Sequence, residues 1–500
     1  MPIEVAEKGK TLQNFIGGRW VASASGRTKP NVNPANTSEI LGYYQESTRE
    51  DAKKAIEAAK AAFPGWKKTP APKRARVLYK MVELLTKRKE ELARALTAEE
   101  GKCLNEALGE VQRAINVAEF TAAEGTRMHG QTIPSELPNN LVYTVREPIG
   151  VVGLITPWNF PVAIPVWKAC AALITGNTIV FKPSSLTPWT AAMVVEMCRE
   201  AGLPPGVLNL VTGPGGEVGD ELATNTDVAG ISFTGSNEIG HHLAKLAGSR
   251  RAKIQLEMGG KNAIIVLDDA ELGLAVNAAI LGAFGSTGQR CTATSRAIVQ
   301  RGILPKFLEE VSKKTAQMQV GPGKDSGNYI GPIVDENQLK KVMGYIEKGK
   351  QEGAYLALGG NRLASGDQGK GLFVEPTIFT QVKPTMTIAK EEIFGPVLSV
   401  FEVSNFEEAL RIANDSPYGL SSSIFTRDVN HVFRYIDDIE VGIVHINSAT
   451  IGGEAQVPFG GMKATGSGGR EMGTTAIEFF TEWKSVYVDY TGESRKSNVY

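Results

Sequence analysis

The sequence predicts an α/β protein: a helical N-terminal section followed by two series of mostly parallel sheet. Three observations carry that reading. The chain has 500 residues, more than one ordinary core holds, so two or three domains are expected. The hydrophobic period changes from helical to strand-like near Leu141, and from Ile149 onward short apolar runs alternate with helical stretches.

In chain order, Ser47-Thr48-Arg49-Glu50 reads as a capping box that opens an amphipathic helix from Asp51 to Phe63, stopped by Pro64-Gly65. Helical patterns follow over residues 73–98 and 105–125, then an alternating strand over 141–146. Apolar runs at 150–155, 178–181, 207–211, 230–233 and 263–267 have the unbroken character of strands covered on both faces. Helical patterns at 162–174, 187–201 and 238–247 lie between them, so the crossovers are right-handed and the sheet is mostly parallel. A second α/β series occupies 270–465. The glycine-rich stretch 452–469 is too mixed in composition for a disordered linker. The strand-like run 484–490 stands apart from other elements and is expected to pair with another subunit's sheet, ahead of a polar tail to Tyr500 that is expected to fray.

Composition narrows the function. Lys plus Arg and Asp plus Glu both number 54, giving a net charge of zero and no field to gather nucleic acid or an acidic membrane. Cys103, Cys170, Cys198 and Cys291 are scattered without a CxxC pair or a histidine at ligand spacing, which argues against disulfides and against a metal site. Met1 to Lys8 is charged and lacks an apolar core, and no run approaches the ~18 apolar residues of a membrane span. A cytoplasmic protein acting on small molecules is expected.

Five places concentrate chemistry. Cys291 lies in Gly285-Ser286-Thr287-Gly288-Gln289-Arg290-Cys291-Thr292, where glycines and small hydroxyl residues put a thiol on close-approaching backbone and Arg290 offers a neighbouring cation. A buried structural cysteine is the plain alternative. Two glycine-rich turns, at 212–219 (with Gly215 and Gly219) and at Phe233-Thr234-Gly235-Ser236, each follow a buried strand and free backbone N–H groups for a pyrophosphate, although an ordinary tight turn would look the same. Asn159, between prolines in Thr156-Pro157-Trp158-Asn159-Phe160-Pro161, is an amide fixed at a strand's carboxyl end, suited either to an oxyanion or to its own turn. Glu257 ends a strand before Met258-Gly259-Gly260-Lys261, so it is either paired with a cation such as Lys261 or held with a raised pKa as a general base.

Together these segments, with Phe181-Lys182-Pro183-Ser184, Gly288-Gln289-Arg290-Cys291 and Glu391-Glu392-Ile393-Phe394-Gly395-Pro396, resemble the aldehyde dehydrogenase superfamily over nearly the whole chain. The 34 residues from Glu257 to Cys291 also match that family's spacing. The resemblance implies a Rossmann-type cofactor domain (1–127 and 148–257), an α/β catalytic domain (258–470) and a small β oligomerisation element (128–147 and 471–500) that pairs between subunits of a homo-oligomer, dimer or tetramer. It implies that Cys291 attacks an aldehyde, that Asn159 and the Cys291 N–H hold the oxyanion, that Glu257 activates the hydrolytic water, and that Lys168 assists proton movement. For the cofactor it implies Thr156, Trp158, Lys182, Ser184, Ser185, Gly215, Gly219, Phe233, Thr234, Gly235, Ser236, Glu392 and Phe394. Phe160 and Phe459 would shape the substrate pocket.

Family members using NAD often carry Glu three residues after the ribose-binding lysine. Here that residue is Ser185, which removes repulsion of a 2′-phosphate, so NADP is expected to be preferred with NAD accepted. The segments 286–296 and 446–462 resemble the branch of the family acting on α-ketoglutaric semialdehyde (2,5-dioxopentanoate), whose far carboxylate would need Arg290 or the 448–456 loop. Arg290 reads equally well as a structural ion-pair partner. Broad-specificity and succinate-semialdehyde-type enzymes, a CoA-acylating enzyme and a non-catalytic structural relative are the competing readings; an intact Glu257 argues against acylation, and intact Cys291, Glu257 and Asn159 against an inert relative.

Overall fold

The computed structural model describes residues 9–494. The expectations for Met1 to Lys8 and for the last residues before Tyr500 concern positions outside that range.

The helical section starts one residue later than its capping signal suggested. Thr48 is the N-cap of Arg49–Lys68, and its reciprocal partner is Asp51, not Glu50. Pro64 does not stop the helix. Loss of one N–H near the end costs only one bond, and Trp66 beyond it is buried with its indole N–H donating to Leu173 O at 3.1 Å, which holds the last turn in place. The 73–98 pattern is two helices, Ala71–Lys87 and Lys89–Glu100, broken at Arg88, whose guanidinium forks onto Glu200. Leu104–Glu124 follows as expected.

The five parallel strands at the centre of an eight-stranded sheet lie in the spatial order Lys253–Glu257, Val228–Thr234, Val151–Ile155, Thr178–Lys182, Leu208–Leu210. From Val151–Ile155 the chain winds one way to Leu208–Leu210, then returns to build Val228–Thr234 on the other side. The reversal opens a crevice at the carboxyl ends of Val151–Ile155 and Val228–Thr234, the place where sheets of this type bind ligands. Thr156 and Asn159 lie on one lip of it and Thr234 to Ser236 on the other. Asn14–Ile16 and Arg19–Val21 extend the far edge antiparallel; strands of three residues around Gly17-Gly18 carry too little periodicity to be seen in a section that reads as helical.

Asn262–Val266, which the apolar runs grouped with the first sheet, belongs to a second, seven-stranded one, between Thr294–Gln300 and Ser421–Phe425. The chain crosses from sheet to sheet within Met258 to Lys261. Gly466–Ser467, inside the expected catalytic segment, comes back to pair with Lys253–Glu257, placing Gly466 opposite Glu257.

The tail strand is not isolated. Thr481–Asp489 pairs antiparallel with Asn140–Pro148 of its own chain, from Thr481↔Pro148 to Asp489↔Asn140, and Thr132–Ile133 completes a three-stranded sheet. Sequence separation hides such a partner because a strand's pattern does not name its mate. Asn177 ties this sheet to the cofactor-type sheet: its carbonyl accepts from Gly150 N at 2.9 Å and its amide donates to Phe480 O at 2.8 Å. Asn177→Ala strands both buried groups and is expected to cost about 3 kcal/mol, read as a fall of roughly 3–6 °C in the thermal midpoint; an unchanged midpoint contradicts that role.

Candidate active site

The carboxyl edge of the first sheet faces the N-terminal edge of the second, and a cavity of 280 Å³ lies in the seam. Glu257 and Thr234 reach it from the first sheet, Cys291 from the loop ahead of Thr294–Gln300, and Phe160, Phe459, Trp167, Arg113 and Arg290 complete the wall.

The loop carrying Cys291 is strained and pinned. Ser286, Thr287 and Gly288 all have left-handed backbone, with φ of 49°, 58° and 66°. Only glycine fits at 288, because a Cβ there would stand 2.2 Å from Gly395 O. Ser286 N donates to Glu106 Oε1 at 2.5 Å, the Gln289 side chain accepts from Val334 N at 3.0 Å, and Cys291 O accepts from Asn262 Nδ2 at 2.7 Å. The thiol is half-buried. Burial pushes it up to about 12, the Glu392 and Glu257 carboxylates add to the rise, and Arg113 opposes them. Arg290, expected as the cation beside the thiol, instead donates to Glu106 at 3.1 Å and to Ser286 Oγ at 2.8 Å. Adjacent side chains on such a tightly turned loop diverge, so proximity in sequence misleads.

Asn159 is buried and its Nδ2 donates to Gln289 O at 3.1 Å, which spends one amide hydrogen on the nucleophile loop and leaves the other for a ligand. The Asn159 carbonyl accepts from Lys102 Nζ at 2.6 Å. Lys102 in turn binds Glu110 Oε2 at 2.6 Å, while Glu110 Oε1 accepts from Val162 N and Ala163 N at the start of Ala163–Thr175. This buried Lys102–Glu110 pair thus sets the Asn159 turn, and Lys102 also lies 4.1 Å from the Phe160 ring centroid.

Among the described residues no side chain hydrogen-bonds either carboxylate oxygen of Glu257 in its buried position, and the Gly461 backbone N–H is its one close donor. Burial raises its carboxyl well above the usual range, Glu471 raises it further, and Lys168 and Arg470 pull it back. Lys168 is buried, not solvent-facing; it pairs with Glu471 and donates to Ser232 Oγ at 2.7 Å. Lys261 does not pair with Glu257: its Nζ is buried and unpartnered, and burial lowers it to about 7.

The residues expected to hold a cofactor converge on the crevice of the first sheet and on the opposing edge. Thr156 Oγ1 and Thr234 Oγ1 are buried without partners, and Lys182 Nζ has only Pro183 O at 3.4 Å, its pKa drawn down by burial to about 8. A Cβ at Gly215 would meet nothing within 4 Å, and one at Gly219 would come no closer than 3.8 Å, to Lys182 Cδ. Ser236 caps Asn237–Gly248. Ser184 accepts from Leu186 N at 3.2 Å, and the Ser185 hydroxyl donates to Gly213 O at 3.5 Å beside the Tyr44 hydroxyl. Across the seam Glu392 accepts from Gly260 N at 2.9 Å, and Phe394, itself left-handed at φ 59°, packs edge-on to Trp158 at 5.3 Å. Phe233 differs: its ring is buried in the core beneath Gly235, so only its backbone faces the crevice. Orphaned hydroxyls, an uncompensated lysine and open glycine backbone near a helix start suit a nicotinamide dinucleotide.

Sequence reading missed Arg113, Lys102, Glu106, Glu110 and Asn262. Glu110 carried a signal, a charge on the apolar face that it shares with Val111 and Ala114. Arg113 carried none, because a helix arginine reads as solvated.

A doubly wound sheet whose crevice opens onto a thiol borne by a second α/β unit defines a nicotinamide-dependent oxidoreductase that works on carbonyl carbon. The chain belongs to the aldehyde dehydrogenase family, whose sequence model matches residues 20–486. It is 48% identical over 486 residues to the alpha-ketoglutaric semialdehyde dehydrogenase of Bacillus subtilis (strain 168), with 97% of this chain and 100% of that one covered. It is 44% identical to the 2,5-dioxopentanoate dehydrogenase of Saccharolobus solfataricus, with 94% and 98% covered. Among solved structures, betaine aldehyde dehydrogenase from Staphylococcus aureus in complex with NAD+ superposes with a TM-score of 0.94 at 36% identity, covering 98% of this chain and 96% of that one. An NADP-dependent enzyme from E. coli gives 0.92 at 38% identity, covering 95% and 98%. The chain is an aldehyde dehydrogenase that uses a nicotinamide dinucleotide.

Because burial raises the Cys291 thiol, iodoacetamide alkylation of Cys291 in the cofactor-free enzyme should still be climbing between about pH 7 and 9. Peptide mapping checks it, and a rate that levels off below pH 8 contradicts it.

Proposed function

We propose that this enzyme oxidises an acidic semialdehyde, foremost α-ketoglutaric semialdehyde, to the carboxylic acid, with NADP as its preferred acceptor. The observation that carries the chemistry is the pairing, in one small cavity, of a free thiol with a buried carboxylate that no side chain hydrogen-bonds. The substrate reading is supported by the full-length likeness to the Bacillus subtilis and Saccharolobus solfataricus enzymes, whose names specify that semialdehyde.

In this reading Cys291 first loses its proton to solvent, the thiolate so formed bonds to the aldehyde carbon, and the oxygen becomes an alkoxide held by the free amide hydrogen of Asn159 and by the Cys291 N–H. Lys182, the Gly215 and Gly219 turn and Glu392 would hold a nicotinamide dinucleotide at the crevice, and that group would supply the hydride acceptor. The carbon is then a thioester on Cys291. Glu257 takes a proton from water as the water oxygen bonds to the thioester carbon, the C–S bond breaks, and the thiolate departs. The Lys168–Glu471 pair beside Glu257 offers that proton a route onward.

Ser185, held by Gly213 O and Tyr44, puts a hydroxyl where a carboxylate would repel a 2′-phosphate, and nearby Glu46 is paired with Lys29. The division into a cofactor domain (1–127 and 148–257), a catalytic domain (258–470) and an oligomerisation element (128–147 and 471–500) is supported by the three main sheets, apart from Pro148 and Gly466–Ser467, which pair across it. Exposed Trp483, Tyr487 and Tyr490 on the tail sheet suit a homo-oligomer, dimer or tetramer. Four free cysteines suit the cytoplasm.

Glu257→Gln should lower kcat by about 100-fold or more while a Cys291 thioester accumulates, seen as the acyl mass on intact enzyme after rapid quench; steady turnover without it refutes Glu257 as base. Because burial raises the Glu257 carboxyl, its base form is scarce at low pH, so hydrolysis of the thioester should accelerate as pH rises. For the cofactor, kcat/KM should favour NADP over NAD, and Ser185→Glu should reverse the order; a wild-type preference for NAD of about ten-fold or more, 1.4 kcal/mol, refutes the assignment.

A further inference from the structure

Two arginines border the catalytic cavity, and their circumstances differ. Arg290 is engaged, its guanidinium paired with Glu106 and bonded to Ser286 Oγ at the base of the nucleophile loop. Arg113, from Leu104–Glu124, has no such partner. One terminal nitrogen donates to Gly453 O at 2.6 Å, the other reaches only Met472 Sδ at 3.4 Å, and the guanidinium carbon lies 5.6 Å from the Trp167 ring centroid. Among the described residues no carboxylate pairs with it. Glu110, one turn away, is taken up by Lys102 and the Val162 and Ala163 N–H groups.

A thioether is a poor acceptor, and a half-buried guanidinium to which no carboxylate is bonded is left incompletely satisfied. An incoming carboxylate relieves both defects at once by displacing the sulfur contact and supplying the missing charge. Arg113 also lines a second cavity of 600 Å³, between its helix and residues 453–456. The Gly453 bond and the Trp167 ring fix the plane of the guanidinium, which two-point carboxylate binding requires.

We propose that Arg113 anchors the remote carboxylate of the semialdehyde, and that Arg290 serves the nucleophile loop. Cys291 and Arg113 share one cavity of 280 Å³, so a molecule of a few carbons touches both. This assignment rests on the acidic-semialdehyde reading above.

The test compares kcat/KM for α-ketoglutaric semialdehyde and for pentanal, with NADP, in wild type, Arg113→Gln, Arg113→Lys and Arg290→Gln. The ratio of the two constants is independent of how much of a variant folds. Arg113→Gln should cut the ratio by about 30-fold, chiefly through KM for the acid, and Arg113→Lys by less. Arg290→Gln should slow both substrates alike. Glutarate should compete with the semialdehyde in wild type and lose that effect in Arg113→Gln. A wild-type enzyme indifferent to the terminal charge overturns the substrate reading and this one together. A wild-type preference that survives in Arg113→Gln, or falls in Arg290→Gln instead, overturns the Arg113 assignment and leaves the substrate reading standing.

Discussion

The structure depends on how little room the chain has between its two sheets. It leaves the first at Glu257 and enters the second at Asn262, and the intervening glycines are there because nothing larger fits. A Cβ on Gly259 would lie 2.5 Å from Glu392 Oε2, and one on Gly260 would lie 2.7 Å from Cys291 O. Both close neighbours belong to the site. The glycines let the loop carrying the thiol and the Glu392 carboxylate press directly onto the crossing backbone. Asn262 completes the arrangement by donating to Cys291 O and Ala293 O and accepting from Ser421 N. The relative placement of base and nucleophile is therefore set by close-packed backbone and by the single short side chain of Asn262.

The same closeness explains the electrostatics of the seam. Burial moves acids and bases in opposite directions: Glu257 and Glu392 rise and Cys291 goes to about 12, while Lys182 falls to about 8 and Lys261 to about 7. Each shift records a charged form that the protein alone does not stabilise. By contrast, the buried Lys102–Glu110 and Lys168–Glu471 pairs are matched, and they hold positions instead of waiting for a ligand. Unmatched groups line the crevice, and in the cavity the unmatched Glu257 shares the wall with the matched Glu110 and the Glu106–Arg290 pair.

Much of this was legible in the sequence because it is local. Unbroken apolar runs announce doubly covered strands, and Gly, Pro and a capping Ser mark the turns at 156–161 and 233–236. Cys291, Glu257 and Asn159 were identifiable as reactive types at strand ends, and they do meet at one seam. What stayed hidden depends on contacts between distant segments. The partner of Thr481–Asp489 lies more than three hundred residues away, at Asn140–Pro148. Assignment of Asn262–Val266 to a second sheet depends on two glycines whose crowding only the folded chain reveals. Arg113 lies on a helix whose charged residues read as a solvated face, and nothing in its neighbours indicates that residues 453 and 472 cover it.

The exchange of roles between Arg290 and Arg113 follows from backbone strain. Three successive left-handed residues cost about 1–2 kcal/mol each where they are not glycine, so Ser286 and Thr287 keep that shape only because other contacts over-determine it. Glu106 supplies one such contact to Ser286 N, and Arg290 reinforces it by bonding both the Glu106 carboxylate and Ser286 Oγ. Releasing Arg290 to a substrate would free the carboxylate that pins the nucleophile loop at the moment the loop must be most rigid. A second cation, anchored on a separate helix, lets substrate binding and loop geometry be held by different groups, and Arg113 is so placed.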